Sequence, residues 1–201
     1  MTLEIILASI LGVKSVSFAA VLASMGLAVG MALSGQLQNM AGGVIIMVTK
    51  PFGIGDFISA QGIDGTVRAV RLFHTEVLTP DKKAVFIPNG VLSSNLVTNF
   101  SHEDLRRVEW TIGIEYDEDF ERVRQVILDL LAQDERIRTT PEPLVVLHNL
   151  NSSSVDILVR AWVASGDLWN VFWSFNERVY ADFNAKGIGF PFPQLTVHQG
   201  K

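Results

Sequence analysis

Residues 15–49, SVSFAAVLASMGLAVGMALSGQLQNMAGGVIIMVT, decide how the rest of the chain is read. The stretch holds no charged side chain, and small residues recur through it at four-residue intervals: Ala20, Ser24, Ala28 and Ala32 in one series, Gly26, Gly30 and Ser34 in another. A bilayer core takes about 20 apolar residues to cross as a helix, so the stretch is long enough to span. In lipid the hydrophobic drive between helices is absent, and small side chains allow the close backbone approach that replaces it. At about 100° per residue, the glycine series and the alanine series fall on opposite sides of one helix. Leu27 and Met31 lie between them, while Phe18, Leu22, Met25, Val29 and Leu33 form a bulky back.

Such a helix can pack against copies of itself with the alanine side of one in the glycine side of the next. That contact is heterologous and closes into a ring where its rotation permits, leaving Leu27 and Met31 on the axis. A lone anchor, or a dimer helix using Gly26-x-x-x-Gly30, reads from the same pattern. Gly35, followed by Gln36, Gln38 and Asn39, predicts an interruption or kink, since glycine lowers helix propensity by about 1 kcal/mol. Gly42-Gly43 reads as a second bend or as a close-packing site. Residues 36–49 look interfacial rather than spanning. Lys50-Pro51 ends the element, with an extended residue expected ahead of the proline.

Outside this segment the composition is that of a soluble protein. The 201 residues contain no cysteine, which excludes a disulfide framework and thiolate metal sites. No secretory signal is evident, the apolar run being too long for one. Of the net charge of −5, the excess is C-terminal: residues 51–107 hold six basic and six acidic side chains, residues 108–201 eight basic and fourteen acidic. Nucleic acid is therefore not the expected partner there, because phosphate binding needs a basic footprint. Arg68, Arg71, Lys82 and Lys83 read as solvated or facing lipid headgroups, and place the residues after about 50 on the cytoplasmic side.

Residues 51–105 read as a small all-β module. Asp56–Ala60, Gly65–Val70, Phe73–Leu78 and Ala84–Pro88 are β-prone runs separated by Gln61-Gly62, Asp64-Gly65 and Pro80-Asp81-Lys82, with Ile87-Pro88-Asn89-Gly90 closing the last. The size suits an Sm-like barrel, with Phe52, Phe57, Phe73 and Phe86 as core candidates; RNA binding is the weaker use of such a module. Residues 106–190 alternate strand and helix: Arg107–Tyr116, Phe120–Ala132, Val145–Leu150, Val155–Ala164 and Leu168–Lys186, with Asp167 as N-cap and Gly187 as C-cap. That order predicts a ferredoxin-like α/β domain whose last strand is Leu195–His198. Residues 1–13 are left as the remnant of a preceding membrane segment or a linker, 14–50 as the kinked transmembrane helix, and 191–201 as a C-terminal strand. The whole is an α+β membrane protein.

The residues do not support an enzyme. His74, His102, His148 and His198 are scattered singly, without metal-ligand spacing, so neither a metal nor a cofactor is expected. Asp117, Glu118 and Asp119 precede a helix, where acidic side chains act as caps and dipole partners. Gly53-Ile54-Gly55 lacks the rest of a phosphate loop. Trp162, Trp169 and Trp173 read as core or interface aromatics.

Gly26-Leu27-Ala28-Val29-Gly30, Gln38-Asn39-Met40-Ala41-Gly42-Gly43, Pro51-Phe52 with Gly55-Asp56, Gly65-Thr66-Val67, Ile87-Pro88-Asn89-Gly90, Asn99-Phe100-Ser101, Ser165-Gly166-Asp167-Leu168 and Gly187-Ile188-Gly189-Phe190-Pro191-Phe192-Pro193-Gln194 follow one another in fixed order. In that order and spacing, from about residue 14 to 197, they resemble the small-conductance mechanosensitive channel (MscS) family. The resemblance implies a kinked pore helix, a β domain, and an α/β domain ending in a strand that joins a small barrel. It implies a homoheptamer in a bacterial inner membrane, partnered with lipids, and opened by tension on hypo-osmotic shock to release ions and small osmolytes.

By position, the resemblance makes Leu27 and Met31 the pore constriction and Gly26 and Gly30 the helix-packing grooves. Ala20, Ser24, Ala28 and Ala32 form the knob side, Gly35 is the hinge, and Asn39 meets the β domain near Asn89 and Gly90. Met31 stands where the family commonly has Leu, and Ala23 and Ser24 replace a groove Gly and a knob Ala. The family's two preceding membrane helices, which meet lipid and sense tension, have no counterpart in these residues. The expectation is a conduction path without its sensor. A membrane-anchored cytoplasmic module that binds a solute or partner is the alternative. The groove stripe generates one prediction: in pressure-clamp recordings, Gly30→Leu raises the opening threshold because a bulky side chain blocks sliding of neighbouring helices.

Overall fold

The computed structural model describes residues 2–11 and 15–195. They fall into two compact units, divided between His102 and Glu103. In the first unit, α1 (Thr2–Leu11) precedes α2 (Ser15–Thr49). The helix α2 is unbroken, and Gly35 and Gly42-Gly43 lie within it, so the interruption expected at Gly35 does not occur. One glycine costs about 1 kcal/mol, which a long helix absorbs when its neighbours are Ala, Leu, Met and Gln. At the end of α2, Lys50 has φ 47° and its N–H donates to Ile46 O at 2.9 Å. The residue before Pro51 is therefore left-handed rather than extended, because closing the helix with this bond outweighs the usual pre-proline preference.

Five antiparallel strands follow: β1 (Phe57–Ala60), β2 (Ile63–Val70), β3 (His74–Leu78), β4 (Ala84–Pro88) and β5 (Val97–Asn99). Their order is β4-β3-β2-β1-β5, an Sm-like arrangement. Gln61 and Gly62 both take positive φ, the requirement of a two-residue I′ hairpin between β1 and β2. Asn89-Gly90 does not close a strand pair. It opens a short helix, α3 (Asn89–Ser94), which connects β4 to β5. The core holds Phe52, Ile58, Val67, Val77, Ile87 and Leu92, together with Ile46 from α2. Phe86, expected inside, is 59% exposed. Strand alternation puts it on the face opposite Val85 and Ile87, edge-on to the ring of His74 at 5.3 Å. Phe73 is likewise exposed, at the β2–β3 turn.

The second unit contains β6 (Leu105–Ile114), α4 (Phe120–Ala132), β7 (Ile137–Arg138), β8 (Leu144–Leu150), β9 (Val155–Ala164) and α5 (Leu168–Lys186). The central strand β9 has β6 on one side and both β8 and β7 on the other. This is the ferredoxin-like order. The two-residue β7 escapes sequence reading because it is too short to alternate. Both helices pack on one sheet face: Val123, Ile127, Leu130 and Leu131 of α4 and Val171, Phe175, Val179 and Phe183 of α5 cover Trp110, Ile112, Ile157 and Val159. Asp119 caps α4, its Oδ1 accepting from the N–H groups of Glu121 at 2.9 Å and Arg122 at 3.3 Å. Asp167 makes no such side-chain cap, because Ser165–Asp167 form a 3-10 turn leading straight into α5. Gly187 ends α5 with φ 65°. Residues 191–195 run without strand pairing, and the remainder of the expected strand at Leu195–His198 lies outside the described residues.

The end of α4 is tied to α5 through Asp134, which is 7% exposed. Its carboxylate accepts from Arg136 Nε and Nη2, both at 2.8 Å, from Arg136 N at 3.1 Å, and from Arg178 Nη2 at 2.7 Å. The Arg136 side chain holds the Asp134 carboxyl below the usual carboxylate range, against the opposing effect of burial. A depressed pKa stabilises the fold above the unfolded value of about 3.9, and this contribution is lost as pH falls through the folded value. All four tryptophans lie in this unit, so their fluorescence reports its unfolding. In urea titrations so followed, Asp134→Ala lowers stability by about 1–3 kcal/mol at pH 7, and the loss shrinks toward pH 3.

Candidate functional site

The helix α2 serves two environments along its length. From Ala19 to Gln38 every side chain is exposed, and Phe18–Thr49 is the one helical segment among the described residues long and apolar enough to cross a membrane. Leu27 and Met31 are 65% and 63% exposed, and Ala20, Ser24, Ala28, Ala32, Gly26 and Gly30 are open along the same helix. A methyl group built on Gly26, Gly30 or Gly35 meets nothing within 4 Å. The polar atoms on this stretch are satisfied locally: Ser24 Oγ donates to Ala20 O at 2.7 Å and Ser34 Oγ to Met31 O at 2.9 Å. Such bonds let hydroxyls sit in an apolar medium without an orphaned donor.

Further along, one stripe of α2 turns to the β sheet. Asn39, Gly42, Gly43 and Ile46 lie at helical spacing; Asn39 is half-buried and the other three are buried. Added methyl groups at Gly42 and Gly43 would stand 2.6 Å from Asn89 O and 2.6 Å from Leu72 O, so Gly42-Gly43 is a close-packing site and not a bend. The glycines bring the helix backbone onto α3 and the β2–β3 turn, and Ile46 reaches the β core.

Asn89 stands at the centre of this contact and is fully buried. Its Oδ1 accepts from Thr75 Oγ1 at 2.8 Å, and its Nδ2 donates to Arg71 O at 2.8 Å and Leu72 O at 3.2 Å. Its backbone N–H donates to Phe73 O at 3.0 Å. One side chain thus fixes the β2–β3 turn against the start of α3. The first turn of any helix leaves N–H groups without intrahelical partners, and Pro88 supplies no side-chain cap to α3. Asn39 of α2 does so instead, its Oδ1 accepting from Gly90 N at 3.0 Å. Thr75 and the β2–β3 carbonyls are parts of this site that the sequence did not single out. The spacing of Asn39, Gly42, Gly43 and Ile46 was the signal for the stripe.

A second set of bonds anchors the chain where it leaves α2. Asp56 Oδ2 accepts from Gly53 N and from Asn99 Nδ2, each at 2.8 Å, and Asn99 Nδ2 also donates to Pro51 O at 3.1 Å. The separated motifs Pro51-Phe52, Gly55-Asp56 and Asn99-Phe100-Ser101 are thereby one structural feature.

The family model of the mechanosensitive ion channel β-domain matches residues 35–102, and that of the MscS C-terminal domain residues 108–190. The chain is 32% identical over 194 residues to the small-conductance mechanosensitive channel of Helicobacter pylori, covering 96% of this chain and 71% of that protein. The chain belongs to the MscS family of mechanosensitive channels. An Edwardsiella ictaluri small-conductance mechanosensitive channel is 38% identical over 173 residues, 86% of this chain and 60% of that protein. The MscS chain thus spans about two thirds of these relatives' length. The closed-state crystal structure of Helicobacter pylori MscS superposes with a TM-score of 0.89 at 31% identity, over 98% of this chain and 78% of that one. Arabidopsis thaliana MSL1 shares the fold at 22% identity, with a TM-score of 0.76.

The buried contact makes a prediction. Asn89→Ala removes the side-chain partner of Thr75 and of the Arg71 and Leu72 carbonyls, costing about 2–3 kcal/mol locally. Amide exchange across residues 70–95 should accelerate at least tenfold, while exchange in the second unit stays unchanged.

Proposed function

We propose that the chain forms the pore and cytoplasmic part of a homo-oligomeric channel, a heptamer by family resemblance. It sits in a bacterial inner membrane with the residues after about 50 in the cytoplasm. Membrane tension on hypo-osmotic shock opens it to release ions and small osmolytes. The observation that carries this reading is an uncharged helix of membrane length, exposed from Ala19 to Gln38, with small residues on two opposite sides and Leu27 and Met31 between them. Copies packed alanine side to glycine side put Leu27 and Met31 on the axis, where an apolar ring excludes water without a physical plug. Opening moves these residues off the axis. Tension favours the packing with the larger in-plane area, a shift between two discrete states.

The two ends of α2 have separate roles in this mechanism. The upper end slides against neighbouring copies through Ala20, Ser24, Ala28 and Ala32 against Gly26 and Gly30. The lower end moves with the β sheet, because Gly42, Gly43 and Asn39 seat it on α3. Gly35 lies between the sliding and the seated portions, and a methyl group built on it meets nothing within 4 Å, which supports a hinge there.

Patch recordings of the channel under graded suction test the axis assignment. Met31→Ser and Leu27→Ser hydrate the constriction and open at lower tension than wild type, and cells carrying them grow poorly from leakage. Unchanged thresholds in both would remove these residues from the axis. Absence of any pressure-activated current from the wild-type protein would favour the anchored binding module instead.

A further inference from the structure

The apolar band on the Leu27 and Met31 side of α2 is short. Counted from Met31 at about 100° per residue, Leu27 falls about 40° away. Ser24, one turn before Leu27, and Ser34, one turn after Met31, lie within about 60° of that pair, and Gln38 follows a turn later at about 20° from Met31. Two apolar side chains, about 6 Å apart along the helix, are thus bounded on the same side by hydroxyl and amide groups. Ser24 Oγ and Ser34 Oγ donate to carbonyls of α2 itself, Ala20 O at 2.7 Å and Met31 O at 2.9 Å. Each hydroxyl oxygen therefore keeps its acceptor capacity for water. A barrier two side chains deep, with wettable groups at both ends, depends on both members staying apolar.

One of the two carries sulfur. The chain has no cysteine, so methionine is its readily oxidised residue. Of five methionines, Met25, Met31, Met40 and Met47 lie on α2. Met25 points about 120° from Met31, Met47 about 160° and Met40 about 180°. Among the described residues, Met31 alone places a thioether on the side of Leu27, and it is 63% exposed.

We infer that Met31 is an oxidation site whose sulfoxide holds the constriction open. The inference rests on the pore reading above, which puts Leu27 and Met31 on the axis. A lone pair of the Met31 sulfur attacks one oxygen of hydrogen peroxide, and the O–O bond breaks. Sulfur is oxidised by two electrons, and the departing hydroxide takes the proton of the transferred oxygen and leaves as water. The apolar thioether becomes a polar sulfoxide. Leu27 is then the one apolar layer left, and water enters at a width that the intact pair keeps dry. Peroxide and water reach the sulfur together, so oxidation is fastest in the wetted pore and then retains that state. Return to the thioether needs a methionine sulfoxide reductase, an enzyme that must grip the side chain. A closed ring of helices withholds Met31 from it, so the change outlasts the opening that allowed it.

The full chain is reconstituted in liposomes loaded with potassium chloride, and ion efflux and suction thresholds are read before and after brief exposure to hydrogen peroxide. Wild type gains basal efflux and opens at lower suction, in step with the fraction of the Met31 peptide that carries one added oxygen by mass spectrometry. Met31→Leu shows no change on exposure, Met25→Leu responds as wild type does, and Met31→Gln leaks without peroxide. Reductases for both sulfoxide epimers, applied to the oxidised chain in detergent before a second reconstitution, restore the original threshold. A peroxide response that persists in Met31→Leu overturns this site and leaves the pore standing. So does a Met31 that stays unoxidised, or one that is fully oxidised with efflux and threshold unchanged. Neither pressure-activated current nor efflux in any variant, Leu27→Ser included, overturns the pore and the site together.

Discussion

The backbone of α2 approaches α3 and the β2–β3 turn so closely that no methyl group fits at Gly42 or Gly43. The approach is possible only because Asn89, fully buried, satisfies its own amide and the carbonyls of that turn at once. A buried amide with any bond missing would cost more than the contact returns, so the arrangement is all or nothing. It joins a helix of membrane length to a sheet that folds in water.

This seat divides one helix between two kinds of packing. From Ala19 to Gln38 the helix is exposed, and methyl groups built on Gly26, Gly30 and Gly35 meet open space. Below it the same spacing of small residues is filled to contact distance. Gly26 and Gly30 resemble Gly42 and Gly43 in sequence, but a methyl group on the first pair meets nothing within 4 Å and one on the second would clash with Asn89 and Leu72. Glycine pattern alone does not distinguish them, because it encodes only the permission for close approach.

Much of the second unit was legible as periodicity. The apolar face of α4, the Gly187 cap of α5 and the long alternation of β9 follow from local spacing and capping chemistry. What was not legible depended on pairing partners: β7 is defined only by its bonds to β9, and Phe86 faces outward because of its register against β3. Asp167 was expected to cap α5, but the 3-10 turn before it carries the chain into the helix without a side-chain bond. The role of Asp134 was equally hidden, since its partner Arg178 is remote in sequence.

By itself the sequence determined that residues 15–49 form an uncharged helix with small residues on two opposite sides, and that two mixed modules follow it. Those properties depend on side-chain chemistry repeated at fixed intervals, which a linear reading captures. Tertiary structure alone decided that the helix continues unbroken through Gly35, and that Asn39 caps α3. It also decided which glycines are filled and which residues of the sheets face outward. Each of these outcomes is a competition between local preference and a partner distant in the chain. Such competitions are resolved only when the partner's distance and burial set the energy.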